Sequence, residues 1–544
     1  MLMNFSLIKP KADRSDFEMH SLVQYAMKKW LTLHDATEFE YWREAYVTLM
    51  DQSYPIGHPE NWSVCQALLP HAQAALDNLS SDADALEHWA SISWKAAWYM
   101  GEMGEYDRAY KLAIDSYDVR TILLGPDDPD TLDSLNTVGV ALSRLGRYNE
   151  AEAMYQKAVE GKVRTLGAEH LDTLTSMLNL AIVYNSQGHW TDAEKLLKQV
   201  LKVAREKDWE AGRSLTLSTL TTLATTHSNL GRYADAADSE FQILKSREAQ
   251  LGPEHPTTLT VKGNLAYSYK LQGRLKEAEK LNVQILKAHE SNCHAETEIL
   301  ATKSHLASVY VAQGRWTEAE ELQHLVLTNT TAKLGPNHPD TLYAMGNLAG
   351  NYWIQSRFSE AEELQLQLLE LRKATLGDQH PSTLDVKASL ATTYWSQDRF
   401  GESERITLEV LQIHKEKLGD EHPLTLDSKA ALASVLRDQG RLEDAAVLEV
   451  EVLNARKEKL GAEHPNTLAT MGNLAVTMRR QGRIVEAYEL MWECHKGHMK
   501  ILGPEHPLSM RYTEGLEKWR NEDGLSDDVR LLLDCNKLHE QISM

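Results

Sequence analysis

The sequence predicts an all-α solenoid of helix-turn-helix repeats, and three observations carry that expectation. A turn residue recurs at Gly104, Gly146, Gly188, Gly231, Gly273, Gly314, Ser356, Asp398, Gly440 and Gly482, in steps of 41 to 43 residues. Seven positions before each stands a small residue: Ala97, Gly139, Ala181, Ala224, Ala266, Ala307, Ala349, Ala391, Ala433 and Ala475. A second cassette, Leu-Gly-x-x-His-Pro-x-Thr-Leu, recurs at the same period and is clearest from Leu251 to Leu259. A fixed period of this size marks units that bury their apolar faces only by stacking on their neighbours.

The elements follow in order. Residues 36–83 read as a helical linker or cap, short amphipathic helices interrupted by Pro55, Pro59 and Pro70 and without sustained heptads. Residues 84–521 form about ten 42-residue repeats, and one continuous array is the simplest arrangement. In the clearest copy Leu251 ends the preceding helix and Gly252 supplies its left-handed cap. Pro256 suits the first turn of the next helix, where its missing N–H has no partner to lose. That helix runs to Gln272, Gly273 turns the chain, and a second helix runs to about Ala288. Ala266 marks the close approach of the two, where a larger side chain would cost about 1–3 kcal/mol by overpacking.

The cassette returns at Leu124-Gly125, Leu166-Gly167, Leu334-Gly335, Leu376-Gly377, Leu418-Gly419, Leu460-Gly461 and Leu502-Gly503. The links around Trp209 and Cys293-His294 lack it but keep the period, and are degenerate repeats. Residues 522–544 read as a capping helix of the kind terminal repeats need for a polar outer face.

Net charge is −22, from 57 basic and 79 acidic side chains, without a basic run to neutralise phosphates. Nucleic acid and anionic membrane are therefore not expected partners. Cys65, Cys293, Cys494 and Cys535 lack Cys-x-x-Cys spacing, which fits a reducing, cytoplasmic location and neither a disulfide framework nor a zinc site. Nowhere do 18 apolar residues run together, so no membrane span is expected.

Helix pairs with this small-Ala register resemble tetratricopeptide repeats, and the 42-residue form is similar to that of kinesin light chains and related fungal proteins. The resemblance implies a right-handed superhelix with a concave face made by the first helices, which in related domains holds extended peptides. Ahead of the array, Phe17 to Gln24, Trp30-Leu31, Glu60 to Cys65 and Leu68 to Ala72 resemble the junction between a nucleotide-binding (NB-ARC) module and the repeats of fungal NOD-like receptors. Residues 1–35 would then be a remnant resembling the winged-helix end of that module, and His20 would be the residue that lies against the nucleotide phosphate in the family. The chain has no Gly-x4-Gly-Lys-Ser/Thr loop, so the phosphate cradle is missing and no cofactor is expected. It looks like the sensor half of such a receptor, either truncated or existing by itself.

Register singles out two columns. Nine residues before the turn stand Asn179, Asn264, Asn347 and Asn473, whose amides could pair with the backbone of a strand-like ligand or brace neighbouring helices. Three residues before the turn stand Lys270, Val311, Trp353, Trp395, Arg437 and Arg479, with Arg480 adjacent. Trp and Arg are enriched in binding hot spots, and these predict a partner with acidic residues and apolar anchors. The alternative is that the Trp pack between repeats and the Arg pair with local carboxylates.

The series His170, His255, His338, His380, His422, His464 and His506 stands one per repeat, too far apart to share a metal, and predicts helix capping. Acidic runs such as Glu318 to Glu321 and Glu360 to Glu363 read as a solvated face. Cys494 and His495 are adjacent, would diverge on a helix, and make no nucleophile-base pair.

These readings favour a non-enzymatic protein-protein interaction scaffold that binds a protein or peptide in the concave groove, like the sensor array of a fungal NOD-like receptor. A kinesin-light-chain-like cargo adaptor, or an accessory protein of a biosynthetic pathway, is the alternative.

Overall fold

The computed structural model describes residues 8–10, 17–19, 29–30, 33, 36–77, 82–207, 210–292, 296–504 and 506–522. Contacts gather into two compact units, Met1–Ser186 and Gln187–Met544. The chain is a solenoid of helical hairpins, as its repeat period predicts. One feature departs from the all-α expectation: strands β1 (Ile8–Pro10) and β2 (Phe17–Met19) pair antiparallel, Ile8 opposite Met19. His20, Cys293, His294, Cys535 and the predicted capping helix beyond Glu522 lie outside the described residues.

Helices Ala36–Ser53 and Trp62–Leu76 precede the repeats, and Pro70 sits inside the second instead of interrupting it. Among the described residues ten hairpins follow, from Ala83–Glu102 with Tyr106–Leu123 to Pro465–Arg480 with Ile484–Leu502. Pro507–Glu522 begins an eleventh.

All ten turn positions are left-handed. Eight are glycine, and Ser356 (φ 61°) and Asp398 (φ 60°) are the non-glycine residues with positive φ among those described. The turns close alike: Gly273 N–H donates to Lys270 O at 3.0 Å and Arg274 N–H to Tyr269 O at 2.9 Å. The small residues before the turns are buried, and the glycine at 139 shows why size matters: a Cβ there would meet the Tyr155 ring at 2.9 Å.

The Leu-Gly cassette is a hydrogen-bonded unit. Gly419 ends a helix at φ 91°, and His422 Nδ1 accepts from Leu424 N–H at 3.3 Å. The buried Thr425 hydroxyl returns to Gly419 O at 2.8 Å, and Leu426 enters the core. All seven histidines of the series cap the next helix in this way. Asp128 does so in the first copy.

The acidic runs are not simply a solvated face. Arg357 stacks on the Tyr352 ring at 4.1 Å, pairs with Glu360 at 2.5 Å, and reaches Glu320 of the preceding hairpin at 2.8 Å. Arg399 repeats this arrangement with Tyr394, Glu402 and Glu362. Charge at these positions stitches neighbouring hairpins together.

Within the second unit the coil meets itself. His464 Nε2 donates to Asn229 O at 2.7 Å across 235 residues, and the His464 ring stacks on Trp190 at 6.0 Å. Gly231 approaches so closely that a Cβ would lie 2.2 Å from Pro465 Cδ. Gly314 has the same left-handed backbone and open space around it. Gly314→Ala should therefore cost about 1 kcal/mol for backbone alone, and Gly231→Ala about 1–3 kcal/mol more, read as a difference in denaturant midpoint.

Buried histidines make the fold acid-sensitive. His498 is 3% exposed, stacks on Tyr512 at 4.6 Å, and among the described residues neither ring nitrogen has a partner. Burial pushes its pKa down to about 4. Because the folded value lies below the unfolded one near 6.5, the unfolded chain binds the extra proton; stability is complete above pH 6.5 and falls as pH drops toward 4. The loss at pH 5 is about 2 kcal/mol from this group. Burial also lowers His414, His464 and His506, which act in the same direction. The Tm should fall between pH 7 and pH 5, and His498→Phe should flatten that fall in a melting series across the same pH values.

Candidate functional site

Of the column nine residues before the turn, Asn179, Asn264, His305, Asn347 and Ser389 line clefts on the first helices. In the first unit Asn179 lines a cleft of about 440 Å³ with Trp94, Trp98, Asn136 and Arg144. The Asn179 amide donates to Asn136 Oδ1 at 3.4 Å, Trp94 Nε1 to Thr137 Oγ1 at 2.9 Å, and the two indoles meet edge-on at 6.1 Å. Sequence reading missed Trp94 and Trp98, although their i,i+4 spacing on a first helix was a signal for a shared face.

In the second unit Asn347 and Trp353 come together on a cleft of about 480 Å³, beside Tyr343, Arg372 and Asp385. Asn347 also braces the preceding hairpin, donating to Ser304 Oγ at 3.1 Å. Asn264, exposed, lines the largest of these clefts, about 690 Å³, with Tyr267, Lys270 and His305. Of the four predicted asparagines, Asn473 lines none of these three clefts.

The Trp/Arg column divides. Trp353 Nε1 donates to Ser396 Oγ at 2.9 Å and Trp395 Nε1 to Asp438 Oδ2 at 2.8 Å, each on the first helix of the next hairpin. Arg437 is 8% exposed and its Nη1 lies 3.2 Å from Oε1 of Glu449, itself 1% exposed. Arg479 lies over the Trp519 ring at 4.9 Å and pairs with Glu522 at 3.0 Å, while Arg480 pairs with Asp438 at 2.6 Å. Arg437 and Arg479 are therefore not free cations of a groove: packing brings a carboxylate to each, and they brace the array. Cys494 Sγ donates to Leu468 O at 3.0 Å, and burial pushes its thiol up to about 12, so it stays protonated.

Family models for the tetratricopeptide repeat match residues 90–206 and 298–458, and further ones match 216–257, 258–292 and 467–508. The chain belongs to the tetratricopeptide repeat family. A nucleotide-binding leucine-rich repeat (NLR)-like protein of Hyaloscypha variabilis is 33% identical over 137 residues, 25% of this chain and 13% of that relative, so the chain matches only a small part of its length. Among solved structures, a Podosopora anserina kinesin light chain protein with nearly identical TPR-like repeats is 30% identical over 37% of this chain and 95% of that one, with a TM-score of 0.33. The apo form of RapI is 14% identical over 74% of this chain and 98% of that one, with a TM-score of 0.42.

The tetratricopeptide hairpins of the second unit also carry a polar spine that the sequence reading did not find. Nine residues after the turn, inside the second helices, stand Glu240, Asn282, Gln323, Gln365, Thr407 and Glu449, all at most 6% exposed. Five residues before the next turn the facing column reads Ser268, Val309, Asn351, Thr393, Val435 and Thr477. Asn351 Nδ2 donates to Gln323 Oε1 at 2.9 Å and Thr393 Oγ1 to Gln365 Oε1 at 2.8 Å. Glu449 Oε1 receives Arg437, its Oε2 is buried without a partner among the described residues, and burial raises its pKa.

Removing one member of a buried ion pair strands the other. Arg437→Leu should cost about 3 kcal/mol, with part restored in the double variant that adds Glu449→Leu, because the orphaned carboxylate is then removed. Arg479→Ala, whose pair is partly exposed, should cost less than about 1 kcal/mol in the same urea titration.

Proposed function

We propose that this chain is a non-enzymatic interaction scaffold that holds an extended protein or peptide segment along the first helices of its hairpins. The observation that carries the reading is the placement of Asn264 and Asn347 of the second unit, at one register, on clefts lined by their first helices, a placement that Asn179 repeats within the first unit. An amide offers both donor and acceptor, so a row of them suits the backbone of a strand-like ligand whatever its side chains. Trp353, half-buried beside Asn347, supplies a surface for an apolar anchor. Lys270 supplies a cation for an acidic residue; its ammonium lies 3.3 Å from Ser308 Oγ and within 4 Å of no carboxylate among the described residues. The likeness to the Hyaloscypha variabilis NLR-like protein favours a role as the sensing array of such a receptor, in the cytoplasm, and the partner as a protein or peptide instead of nucleic acid or membrane. No described helix is long and apolar enough to cross a membrane.

Twelve-residue peptides selected from a random display library on the full chain should bind the first-helix face. The triple variant Asn264→Leu, Asn347→Leu, Trp353→Ala should weaken them at least tenfold while its far-ultraviolet circular dichroism stays that of a folded helical chain at the binding temperature. Trp395→Ala, whose indole braces Asp438 and lines none of the clefts, should lower Tm and leave peptide affinity unchanged. Selected peptides that bind the triple variant as tightly as wild type would sink the groove assignment.

A further inference from the structure

Among the described residues the polar spine leaves acceptors unpaired in two places: Glu449 Oε2, whose other oxygen holds Arg437, and the consecutive pair Glu240 and Asn282. At Asn282 the facing residue is Val309, which offers no hydrogen bond; the amide Nδ2 donates to Ala278 O at 2.9 Å, and Oδ1 is buried without a partner. At Glu240 the facing residue is Ser268, and among the described residues neither a hydrogen bond nor a cation reaches the carboxyl, although Glu240 is 6% exposed. Glu240 and Asn282 are consecutive members of the spine, and both line the same 690 Å³ cleft. Buried polar groups are almost always paired, so the unpaired Asn282 oxygen, beside a carboxyl that faces only the same cleft, points to a missing partner. With the Glu240 carboxyl ionised, its two oxygens and the Asn282 amide oxygen are all acceptors. Whatever completes them must be a donor.

Resting on the groove reading above, we propose that this cleft takes a basic side chain, Lys or Arg, of the bound segment, with its charged head between Glu240 and Asn282. A long apolar stem can pass the exposed Asn264 and Tyr267 at the cleft mouth while the head reaches the interior. Glu240 supplies the countercharge, and the pair forms where solvent competes least. Lys270 and His305 line the same cleft, and burial, with the Lys270 charge, holds the His305 imidazole below its ordinary pKa. A lone cation would meet the repulsion of Lys270, so the basic residue should come with an acidic neighbour that answers it.

The same geometry has a cost in the empty protein. Burial alone pushes the Glu240 carboxyl up to about 7, which for an acid means that the folded state disfavours the charged form above the unfolded value. The position is thus suboptimal for stability, as expected where a group is held for a ligand.

Two measurements on the full chain test this. The peptides selected from the twelve-residue library should carry a basic residue, its replacement by norleucine should weaken binding at least tenfold, and Glu240→Gln should abolish that difference. Glu240→Gln should also raise Tm at pH 8, since it removes an unpaired buried carboxylate, whereas a structural Glu would lower Tm when neutralised. Peptides that bind the first-helix face, are weakened by the Asn264, Asn347 and Trp353 triple variant, yet tolerate norleucine and Glu240→Gln overturn this inference and leave the groove reading standing. Peptides insensitive to the triple variant overturn both. A fall in Tm for Glu240→Gln with unchanged peptide affinity assigns the residue to the core.

Discussion

Close contact between the two helices of each hairpin is possible only because a left-handed residue reverses the chain and a small residue seven positions earlier lets the backbones approach. The ten turns share a positive φ whether the residue is glycine, Ser356 or Asp398, and nine of the ten contact positions are alanine. Glycine adopts that backbone without steric penalty, and the serine and aspartate hold it because the flanking helices and turn hydrogen bonds over-determine the conformation. The exception at Gly139, where the Tyr155 ring fills the space of a Cβ, shows that the conserved quantity is volume across the pair, not the residue itself.

Stacking then follows from local closure. Each loop between hairpins is fixed by a left-handed glycine, a histidine cap, a proline at the helix start and a threonine hydroxyl returned to the glycine carbonyl. These bonds span six residues or fewer, so every copy repeats the same exit direction, and repetition of one direction generates a coil. In the second unit that coil brings Asn229 against His464. The cation, aromatic and carboxylate ladder through Arg315, Arg357 and Arg399 adds a second layer of linkage between neighbours. Its partly exposed pairs are individually weak, and it sets spacing and orientation more than overall stability.

Against this regular frame the departures carry the information. A repeat array whose hairpins were all alike would satisfy its interior polar column everywhere. Here Gln323 and Gln365 find partners on the next hairpin and Glu449 on its own, while Glu240 and Asn282 face Ser268 and Val309 and open into a cleft. Function in a solenoid is expected at such local breaks of register chemistry, because the fold itself is common to many binding tasks.

The sequence by itself determined the period, the turn positions, the small contacts and the capping histidines, since each depends on backbone sterics and hydrogen bonds over a few neighbouring residues. It also set Asn179, Asn264 and Asn347 at one register of the first helices. What it left open was the fate of side chains whose partners lie on another helix. Whether Arg437 is a free cation or a buried partner of Glu449 depends on how one hairpin closes across 12 residues, and whether Trp395 is an anchor or a brace to Asp438 depends on stacking across 43. Tertiary structure alone decided these, and it alone exposed the unpaired acceptors at Glu240 and Asn282, because a residue's register says which face it occupies but not which atom stands opposite.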